Sequence, residues 1–246
     1  MKHEEVKPYS EQGSKHEQVE EMFNNIASTY DRLNHSMAWS IDRWWRRRAL
    51  KSISRKGQPQ EGIVLDIATG TGDFALDSAQ ILRPSSIDAT DISEGMMNVG
   101  RSKVAKAGLD KVIRFRRDDV MSLSAQDNTY HAVVSAYGLR NFPDLRKSFS
   151  EMHRVMKPGG SLCLVELATP RYFPMRQLFW LYSHTVMPFI GWIMSRDIKA
   201  YRYLVKTIEA FPQAEEVDAM LEQTGFTNVE HHRMTFGICT YFTATK

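Results

Sequence analysis

An apolar stretch that runs directly into a glycine turn is the feature that most restricts the fold of this chain. Residues 64–72 read VLDIATGTG, which predicts a buried strand with one carboxylate, Asp66, followed by a loop that contains Gly70 and Gly72. Glycine has no Cβ, so such a loop adopts backbone conformations closed to other residues and lets a ligand lie against the main chain. In open α/β sheets, nucleotide-like cofactors bind at a loop of this kind after the first parallel strand. The sequence therefore predicts a cofactor-dependent enzyme with an α/β fold.

Strand and helix patterns alternate beyond the glycine loop, which predicts a Rossmann-like sheet with helices on both faces. A last helix, over 214–223, is followed by two closing strands, so the expected sheet has seven mostly parallel strands. The predicted strands span 63–68, 86–90, 112–116, 132–136, 161–167, 227–230 and 238–243, and the predicted core helices span 73–82, 94–107, 145–156 and 214–223. Ser93 is placed to cap the second of these helices.

Segments outside this alternation predict additional parts. We expect a mobile N-terminal arm over 1–17, an N-terminal helical lid over 18–56, a core over 57–169 and 213–246, and an inserted apolar cap over 170–212. The cap is either a small helical subdomain with its own core or a tunnel for an isoprenoid tail.

Composition excludes several classes of function. A formal net charge of +3 over 246 residues is too small to indicate nucleic-acid binding. The two cysteines, Cys163 and Cys239, are too few for a disulfide framework and have no metal-ligand spacing, and Cys163 is expected to be buried. No leader pattern is visible, which indicates a cytoplasmic protein. The most apolar stretch, 179–194, is shorter than the ~20 residues that a membrane-spanning helix needs. It could still lie on the surface of a membrane.

Carboxylates at the ends of three successive strands indicate which cofactor binds. The loop also satisfies a dinucleotide fingerprint, and Asp91 suits the ribose of either NAD or S-adenosylmethionine. Asp66, however, suits a cation or an ammonium group better than a pyrophosphate. Asp119, after the third strand, is able to accept a hydrogen bond from an adenine amine. Each acid alone could merely cap a helix or solvate a loop, but together they favour S-adenosylmethionine.

Several longer motifs make the chain similar to known enzymes. They are MFNNIASTYD over 22–31, the glycine loop, DIS over 91–93, YGLRNF over 137–142, KPGG over 157–160, SRD over 195–197 and YRYL over 201–204. With these motifs, the chain resembles class I S-adenosylmethionine-dependent methyltransferases and, more narrowly, the ubiquinone/menaquinone C-methyltransferase family.

The resemblance implies methyl transfer to a ring carbon of a polyprenylated quinol, with cofactor contacts at Thr71, Asp91, Asp119 and Val120. Demethylmenaquinol is the expected acceptor. The alternatives are the 2-polyprenyl-6-methoxy-benzoquinol of ubiquinone synthesis, a sterol or small phenol, or no reaction at all, in a cofactor-binding subunit of a quinone-synthesis complex. Some relatives have serine where this chain has Ala136, and a small residue where it has Asp118.

Methylation of a quinol carbon requires a proton acceptor and a donor that stabilises the phenolate. Arg140 and Asn141 follow the fourth strand, where the acceptor is expected. Because a guanidinium stays protonated, Arg140 is assigned to the phenolate, with water taking the proton; a salt bridge to a loop acid is its alternative role. Tyr30 either donates a hydrogen bond to the acceptor or packs as a lid. His184 is the candidate base, or else a packed aromatic.

A cluster of tryptophans and arginines within the N-terminal lid has two interpretations. Trp39, Trp44 and Trp45 alternate with Arg43 and the arginines at 46–48. The cluster either rests on anionic headgroups, which predicts peripheral contact with the inner face of the membrane, or forms a solvated helix face. A homodimer is a further open alternative.

Overall fold

The computed structural model describes residues 3–10, 12–38, 41–54, 62–186 and 198–246. Its strands are β1 (Ile63–Ile67), β2 (Ser86–Asp91), β3 (Ile113–Arg117), β4 (Tyr130–Ala136), β5 (Met156–Leu167), β6 (Thr227–Met234) and β7 (Cys239–Thr245). Its α-helices are α1 (Lys15–Ala38), α2 (Ile41–Ser54), α3 (Asp73–Leu82), α4 (Glu94–Lys106), α5 (Leu145–Val155), α6 (Met175–Leu181), α7 (Ile198–Ala210) and α8 (Ala214–Gln223).

The seven strands form one sheet in the order β3-β2-β1-β4-β5-β7-β6. The first five strands are parallel, and β7 pairs antiparallel with both β5 and β6. Because β1 has β2 on one side and β4 on the other, the direction of winding reverses there, and ligands bind at such a switch point. The predicted seven-stranded, mostly parallel sheet is confirmed.

Two apolar cores cover the two faces of the sheet, as the alternation of side chains along a strand requires. In β1, Leu65 packs into a core with residues of α5 and α8, whereas Val64 packs into a second core with residues of α2 and α3. Helices therefore cover both faces, as predicted. Cys163 is buried in the second core.

Local sequence patterns predicted most element boundaries correctly. Where the observed boundaries differ, the cause is hydrogen-bonded pairing between strands. The helices over 73–82 and 214–223 have the predicted bounds, and Ser93 caps α4 by accepting from the Met96 N–H at 3.2 Å. The closing strands run longer than predicted because β6 and β7 stay paired as far as Met234 and Cys239. β5 begins at Met156, before the KPGG turn, since Met156 already pairs with Tyr130.

The N-terminal segment differs from its prediction. Residues 3–10 and 12–17 were expected to belong to a mobile arm, but Val6 is buried against Val19 and Met22 of α1. The Gln18 side chain accepts from the N–H groups of Tyr9 and Ser10, both at 3.0 Å. A single buried valine and one bridging amide leave no periodic signal in the sequence, so the pattern did not reveal this packing.

Part of the predicted cap is described. Between β5 and α8 lie α6, a π-helical turn (Tyr182–Val186) and α7, whereas 187–197, with the SRD motif and several of the cap's apolar residues, lie outside the described residues. Phe179 is the buried residue of α6. No helix among the described residues is long and apolar enough to span a bilayer.

Helix α2 corrects the interpretation of the tryptophan and arginine cluster. Trp45 and Arg46 are buried, so these two side chains do not face headgroups. Arg47 is partly exposed and pairs with Asp77 at 3.1 Å. Trp44 and Arg43 are exposed. Trp39 lies outside the described residues.

Candidate active site

A cavity of about 220 Å³ lies at the carboxyl ends of β1, β2, β3, β4 and β5. Residues of α1, α2 and the α6 segment line it as well, so its walls come from the sheet, the predicted lid and the predicted cap. Six carboxylates line the cavity, namely Asp31, Asp42, Asp73, Asp91, Asp118 and Asp119. The sequence predicted a crevice rimmed by acids at this edge, and the structure has one.

The glycine loop forms the floor of the cavity. Gly70 and Gly72 have φ values of 55° and 79°, in the left-handed region that favours glycine. A Cβ on Gly72 would lie 2.9 Å from Phe115 Cζ, so both the backbone conformation and the space exclude a side chain there. Two further lining residues, Ala68 and Tyr137, have positive φ without being glycine. Such backbone strain is common at functional sites.

Asp91 holds the loop in place and still faces the cavity. Its Oδ2 accepts from the Gly70 N–H at 2.8 Å, and its Oδ1 accepts from the Ser93 N–H at 2.8 Å. Burial raises the pKa of the Asp91 carboxyl, and these two donors oppose the rise. The carboxylate retains free lone pairs, which are able to accept from ribose hydroxyls.

Asp66 lies beneath the loop and is absent from the cavity lining, which corrects its predicted contact with a cationic cofactor group. It is fully buried, and its Oδ2 accepts from the Thr69 hydroxyl at 2.6 Å. Its Oδ1 has no hydrogen-bond partner among the described residues. Burial raises the pKa of Asp66 to about 7, with a smaller contribution from the nearby Asp91.

We expect the stability of the protein to depend on the ionisation of Asp66. Its pKa is higher in the folded protein than in the unfolded chain, so its contribution to stability is complete at low pH and is lost as the pH rises through about 7. Relative to Asp66→Asn, the wild-type free energy of unfolding should fall by up to about 1.4 kcal/mol per pH unit between roughly pH 5 and 7. Urea denaturation at several pH values measures this slope. The same change at exposed Asp110 is the control, and parallel profiles for wild type and Asp66→Asn would contradict the expectation.

The turn after β3 forms another wall of the cavity. Asp119 and Val120 both line it, as predicted for an adenine subsite. Asp119 Oδ1 accepts from the Met121 N–H at 2.9 Å, whereas its Oδ2 faces His16 of α1 at 3.6 Å. Asp118 has a structural function that the sequence did not indicate, because its Oδ2 accepts from the Ser124 hydroxyl at 2.8 Å and so closes the turn.

Helix α1 is fastened over the glycine loop. The Thr71 hydroxyl donates to Asp31 Oδ1 at 2.6 Å, and Lys103 Nζ donates to Asp31 Oδ2 at 2.9 Å and also contacts Asp73. Thr71 is therefore at the cavity as predicted, but its hydroxyl faces the lid. At the other end of the contact, Asn24 Oδ1 accepts from the Ser93 hydroxyl at 2.8 Å.

We expect Asp31→Ala to loosen this closure. Removal of a half-buried carboxylate that accepts two hydrogen bonds should lower the free energy of unfolding by about 1–3 kcal/mol and weaken cofactor binding, because Thr71 and Lys103 lose their common partner. Urea denaturation and titration calorimetry measure the two effects. Glu94→Gln removes an exposed ion pair with Arg101 from α4 and should change stability by less than about 0.5 kcal/mol. Equal effects of the two variants would contradict the role of Asp31.

Arg140 and Asn141 stand at the far wall of the cavity, as predicted. Arg140 Nη1 donates to Glu166 Oε1 of β5 at 2.6 Å and to the Tyr137 carbonyl at 2.6 Å, while its backbone N–H donates to Glu166 Oε2 at 3.0 Å. Burial alone would lower the pKa of Arg140, but Glu166 raises it. Arg140 Nε is buried and has no hydrogen-bond partner among the described residues. Arg140 thus forms a salt bridge, but with an acid of strand β5 and not with the loop acid that the sequence suggested.

The structure brings Tyr30 to the cavity but not His184. Tyr30 lines the cavity, and its ring packs edge-on against Phe23 with centroids 5.9 Å apart. His184 is exposed and is not part of the cavity lining; it stacks on Trp180 with centroids 4.7 Å apart, and its Nε2 lies 3.6 Å from Glu209. One turn of helix separates His184 from Trp180, so the two aromatic rings stack on each other at the surface. The prediction of His184 as the base is therefore not supported.

Sequence analysis missed two charged residues that hold the site together. Glu166 is a lone carboxylate in a strand predicted to be buried on both faces, and a buried charge requires a partner, so this signal was present. Arg46 is buried in α2, donates to Asp42 Oδ2 at 2.7 Å and to Asp77 Oδ2 at 3.1 Å, and lies 3.5 Å from Asp73 at the start of α3. In the sequence, Arg46 is one of several arginines in a charged run, and nothing in that run indicates that its side chain points inward.

The donors and acceptors of the cavity fit S-adenosylmethionine. Gly70 has no Cβ and admits close approach of a ligand to the loop, whereas Gly72, predicted as a cofactor contact, is absent from the lining. Asp91 suits a ribose, and the turn at Asp119 and Val120 suits an adenine ring. Three of the six lining carboxylates are paired with Arg46 or Lys103, and Arg46 and Arg140 also line the cavity. The carboxylates still outnumber the lining arginines, which suits a positively charged ligand better than a pyrophosphate. The chemistry of the site thus agrees with a sulfonium cofactor.

Comparisons with known proteins agree with this geometry. The model of the ubiE/COQ5 methyltransferase family matches residues 11–246. The chain is similar to the demethylmenaquinone methyltransferase of Bacteroides fragilis, with 52% identity over 99% of this chain and 98% of the relative. It is also similar to the ubiquinone/menaquinone biosynthesis C-methyltransferase UbiE of Geotalea daltonii, with 38% identity over 94% and 97% of the two chains.

Solved structures share the fold at low sequence identity. Phosphoethanolamine N-methyltransferase 2 of Haemonchus contortus, in complex with S-adenosyl-L-methionine, has a TM-score of 0.61 and 16% identity, over 90% of this chain and 60% of that chain. The cyclase SpnF has a TM-score of 0.65 and 17% identity, over 94% and 96% of the two chains. Since SpnF is a [4+2]-cyclase, these likenesses concern the fold alone.

Proposed function

Because the chain belongs to the ubiE/COQ5 methyltransferase family, we propose that it converts demethylmenaquinol to menaquinol by C-methylation, with S-adenosylmethionine as the methyl donor. The observation that carries this proposal within the structure is Arg140, a buried guanidinium in the cavity lining that Glu166 holds in place. A donor fixed in this way suits a phenolate oxygen.

The chain's own residues hold the cofactor and exclude water. Asp91, Asp119 and Val120 would hold the adenosyl part above the glycine floor, and the Asp31 contacts close α1 over it. S-adenosylmethionine supplies, when bound, an activated methyl group on a positively charged sulfur. A lid of this kind contributes by keeping both reactants in attack geometry, which is worth up to ~7–11 kcal/mol of the barrier.

Arg140 activates the acceptor. Its guanidinium is positively charged at all physiological pH values, so contact with it lowers the pKa of the quinol hydroxyl and favours the phenolate. Water takes the proton, and the negative charge that spreads into the ring makes the neighbouring carbon nucleophilic. Asn141 and Tyr30, both in the lining, supply polar groups that orient the ring.

The enzyme works in this proposal as a cytoplasmic protein at the inner face of the membrane. The predicted cap contributes Phe179 and Tyr182 to the cavity, and apolar side chains at this end suit the start of a prenyl tail. A benzoquinol of ubiquinone synthesis is the second candidate acceptor, because the Geotalea daltonii relative is named for both quinones.

Incubation with methyl-labelled S-adenosylmethionine and short-tailed quinols tests the function. We expect label in menaquinol when demethylmenaquinol is supplied, with a higher kcat/KM than for 2-polyprenyl-6-methoxy-benzoquinol. A higher kcat/KM for the benzoquinol would show that the benzoquinol, and not demethylmenaquinol, is the preferred acceptor. Tight cofactor binding in calorimetry without turnover of any quinol would instead indicate a non-catalytic subunit and overturn the proposal.

A further inference from the structure

The large apolar side chains that are exposed in the described part of the chain occur in only three short segments. They are the start of α2, the stretch from 172 to 186, and the turn between β6 and β7. We call these side chains the apolar belt; its members are Ile41, Trp44, Tyr172, Phe173, Leu178, Trp180, Leu181, Val186 and Phe236. Exposed apolar groups scattered singly need no explanation, but a cluster of this kind marks an interaction surface.

Contacts between neighbouring residues join the three segments, although they are far apart in sequence. Trp45, next to belt residue Trp44, donates from Nε1 to Thr235 Oγ1 at 2.8 Å. A Cβ on Gly237 would lie 3.7 Å from Pro170 Cα, so the turn that carries Phe236 touches the chain just before Tyr172. The three segments that carry the belt are therefore neighbours in the fold.

The belt borders the cavity. Each of its segments also contributes a lining residue: Trp45 from α2, Ile238 from the turn, and Phe179 and Tyr182 from the stretch around α6. In α6, Phe179 faces inward, whereas its neighbours Leu178 and Trp180 are each more than half exposed. The same short helix thus connects the apolar wall of the cavity with the apolar surface outside.

The backbone at Phe236 is a second, independent observation. Thr235 and Phe236 have φ values of 46° and 56°, in the left-handed region, and the Phe236 side chain is 79% exposed. A phenylalanine that is held in this conformation with its ring in solvent gains little from intramolecular packing. Backbone strain that intramolecular packing does not offset is typical of residues that contact a ligand or a partner.

The composition of the surface indicates the partner. Tryptophan, tyrosine and phenylalanine rings together with arginine are typical of groups that sit at a membrane–water interface. Arg43 and Arg176 are exposed within the same two helices as Trp44 and Trp180, and Arg43 Nε lies 4.0 Å from the buried carboxylate of Asp77. Arg171, beside Tyr172, is also exposed and pairs with Glu215 at 3.3 Å.

We propose that the apolar belt inserts into the headgroup region of an anionic lipid bilayer and places the cavity where a tailed quinol leaves that bilayer. The proposal rests on the proposed function, because a prenylated acceptor is what makes a bilayer the source of substrate. Insertion of the exposed rings provides the apolar contact, and the arginines contact lipid phosphates.

Flotation with vesicles of phosphatidylcholine and phosphatidylglycerol tests the proposal. The variant Tyr172→Ser with Phe236→Asn removes two exposed rings, and asparagine tolerates the left-handed backbone at 236. We expect its vesicle affinity to fall about tenfold or more relative to wild type. Arg176→Gln should weaken binding to these vesicles only moderately, whereas the control Arg114→Gln, on the far edge strand β3, should leave it unchanged.

Turnover separates the two proposals. The double variant should match wild type on a short-tailed demethylmenaquinol in solution and be slower on a long-tailed one in vesicles. Wild type that turns over the soluble acceptor but fails to float would overturn the docking proposal alone. Vesicle binding that the variants weaken, without turnover of any quinol, would overturn the proposed function and support docking. A dimer in analytical ultracentrifugation that the double variant dissociates would identify the belt as a contact between copies and overturn docking.

Discussion

Arg140→Gln should lower kcat by about 10²–10³ while S-adenosylmethionine still binds, because the phenolate loses the guanidinium that stabilises its charge. The glutamine also leaves Glu166 buried without its positive partner, and breaking a buried pair in this way typically costs about 3–5 kcal/mol of stability. Activity alone would therefore not separate a catalytic effect from partial unfolding.

The double variant Arg140→Gln with Glu166→Gln separates the two effects. Two neutral amides are able to hydrogen-bond to each other, so thermal stability should recover towards wild type while kcat stays low. Steady-state kinetics, calorimetric cofactor titration and thermal unfolding measure the three quantities. Recovery of kcat together with stability would show that Arg140 serves the fold and not the acceptor.

Gly72→Ala should remove cofactor binding and much of the stability. The left-handed backbone at this position costs an alanine about 1–2 kcal/mol, and its Cβ would lie 2.9 Å from Phe115 Cζ, which adds about 1–3 kcal/mol of overpacking. The loop would have to shift at the point where Asp91 and Thr71 present their side chains to the cavity. Calorimetry and urea denaturation measure the two losses.

Gly108→Ala is the matched control. Gly108 also has a left-handed φ, +66°, but no heavy atom lies within 4 Å of the Cβ that would be added. This variant should therefore lose only the backbone term, about 1–2 kcal/mol, and bind the cofactor like wild type. Adding Phe115→Leu to Gly72→Ala should recover part of the stability. Equal losses in the two glycine variants would show that backbone strain, and not the contact with Phe115, decides the effect.

Features that one local stretch of chain encodes were predictable. In a parallel sheet, the carboxyl ends of neighbouring strands lie at the same edge. The glycine turn after β1 and Asp91 at the end of β2 are therefore expected side by side, so the position of the cofactor half of the site could be predicted from the sequence. The same holds for the cap of α4 at Ser93, which involves residues only three positions apart. The acceptor position after β4 also followed from strand order, and Arg140 lies there.

Features that depend on the direction of a side chain were not predictable. Asp66 and Asp91 both stand at strand ends, but the pleat turns Asp66 under the loop and leaves Asp91 at the cavity. His184 had suitable chemistry, yet its position on the turn after α6 places it at the surface. A shift of one residue along a strand or helix turns a side chain from the cavity to the opposite side, and the amino-acid composition does not indicate which direction it takes.

The sequence by itself determined the sheet, its glycine loop and the class of ligand, because hydrophobic period, turn residues and charge act over a few neighbouring positions. Only the tertiary structure decided which distant groups meet: Asp31 with Thr71 and Lys103, Arg140 with Glu166, and the belt residues of three separate segments. These contacts depend on how helices pack on the sheet, and packing joins positions whose separation along the chain, 26 residues for Arg140 and Glu166, leaves no periodic signal.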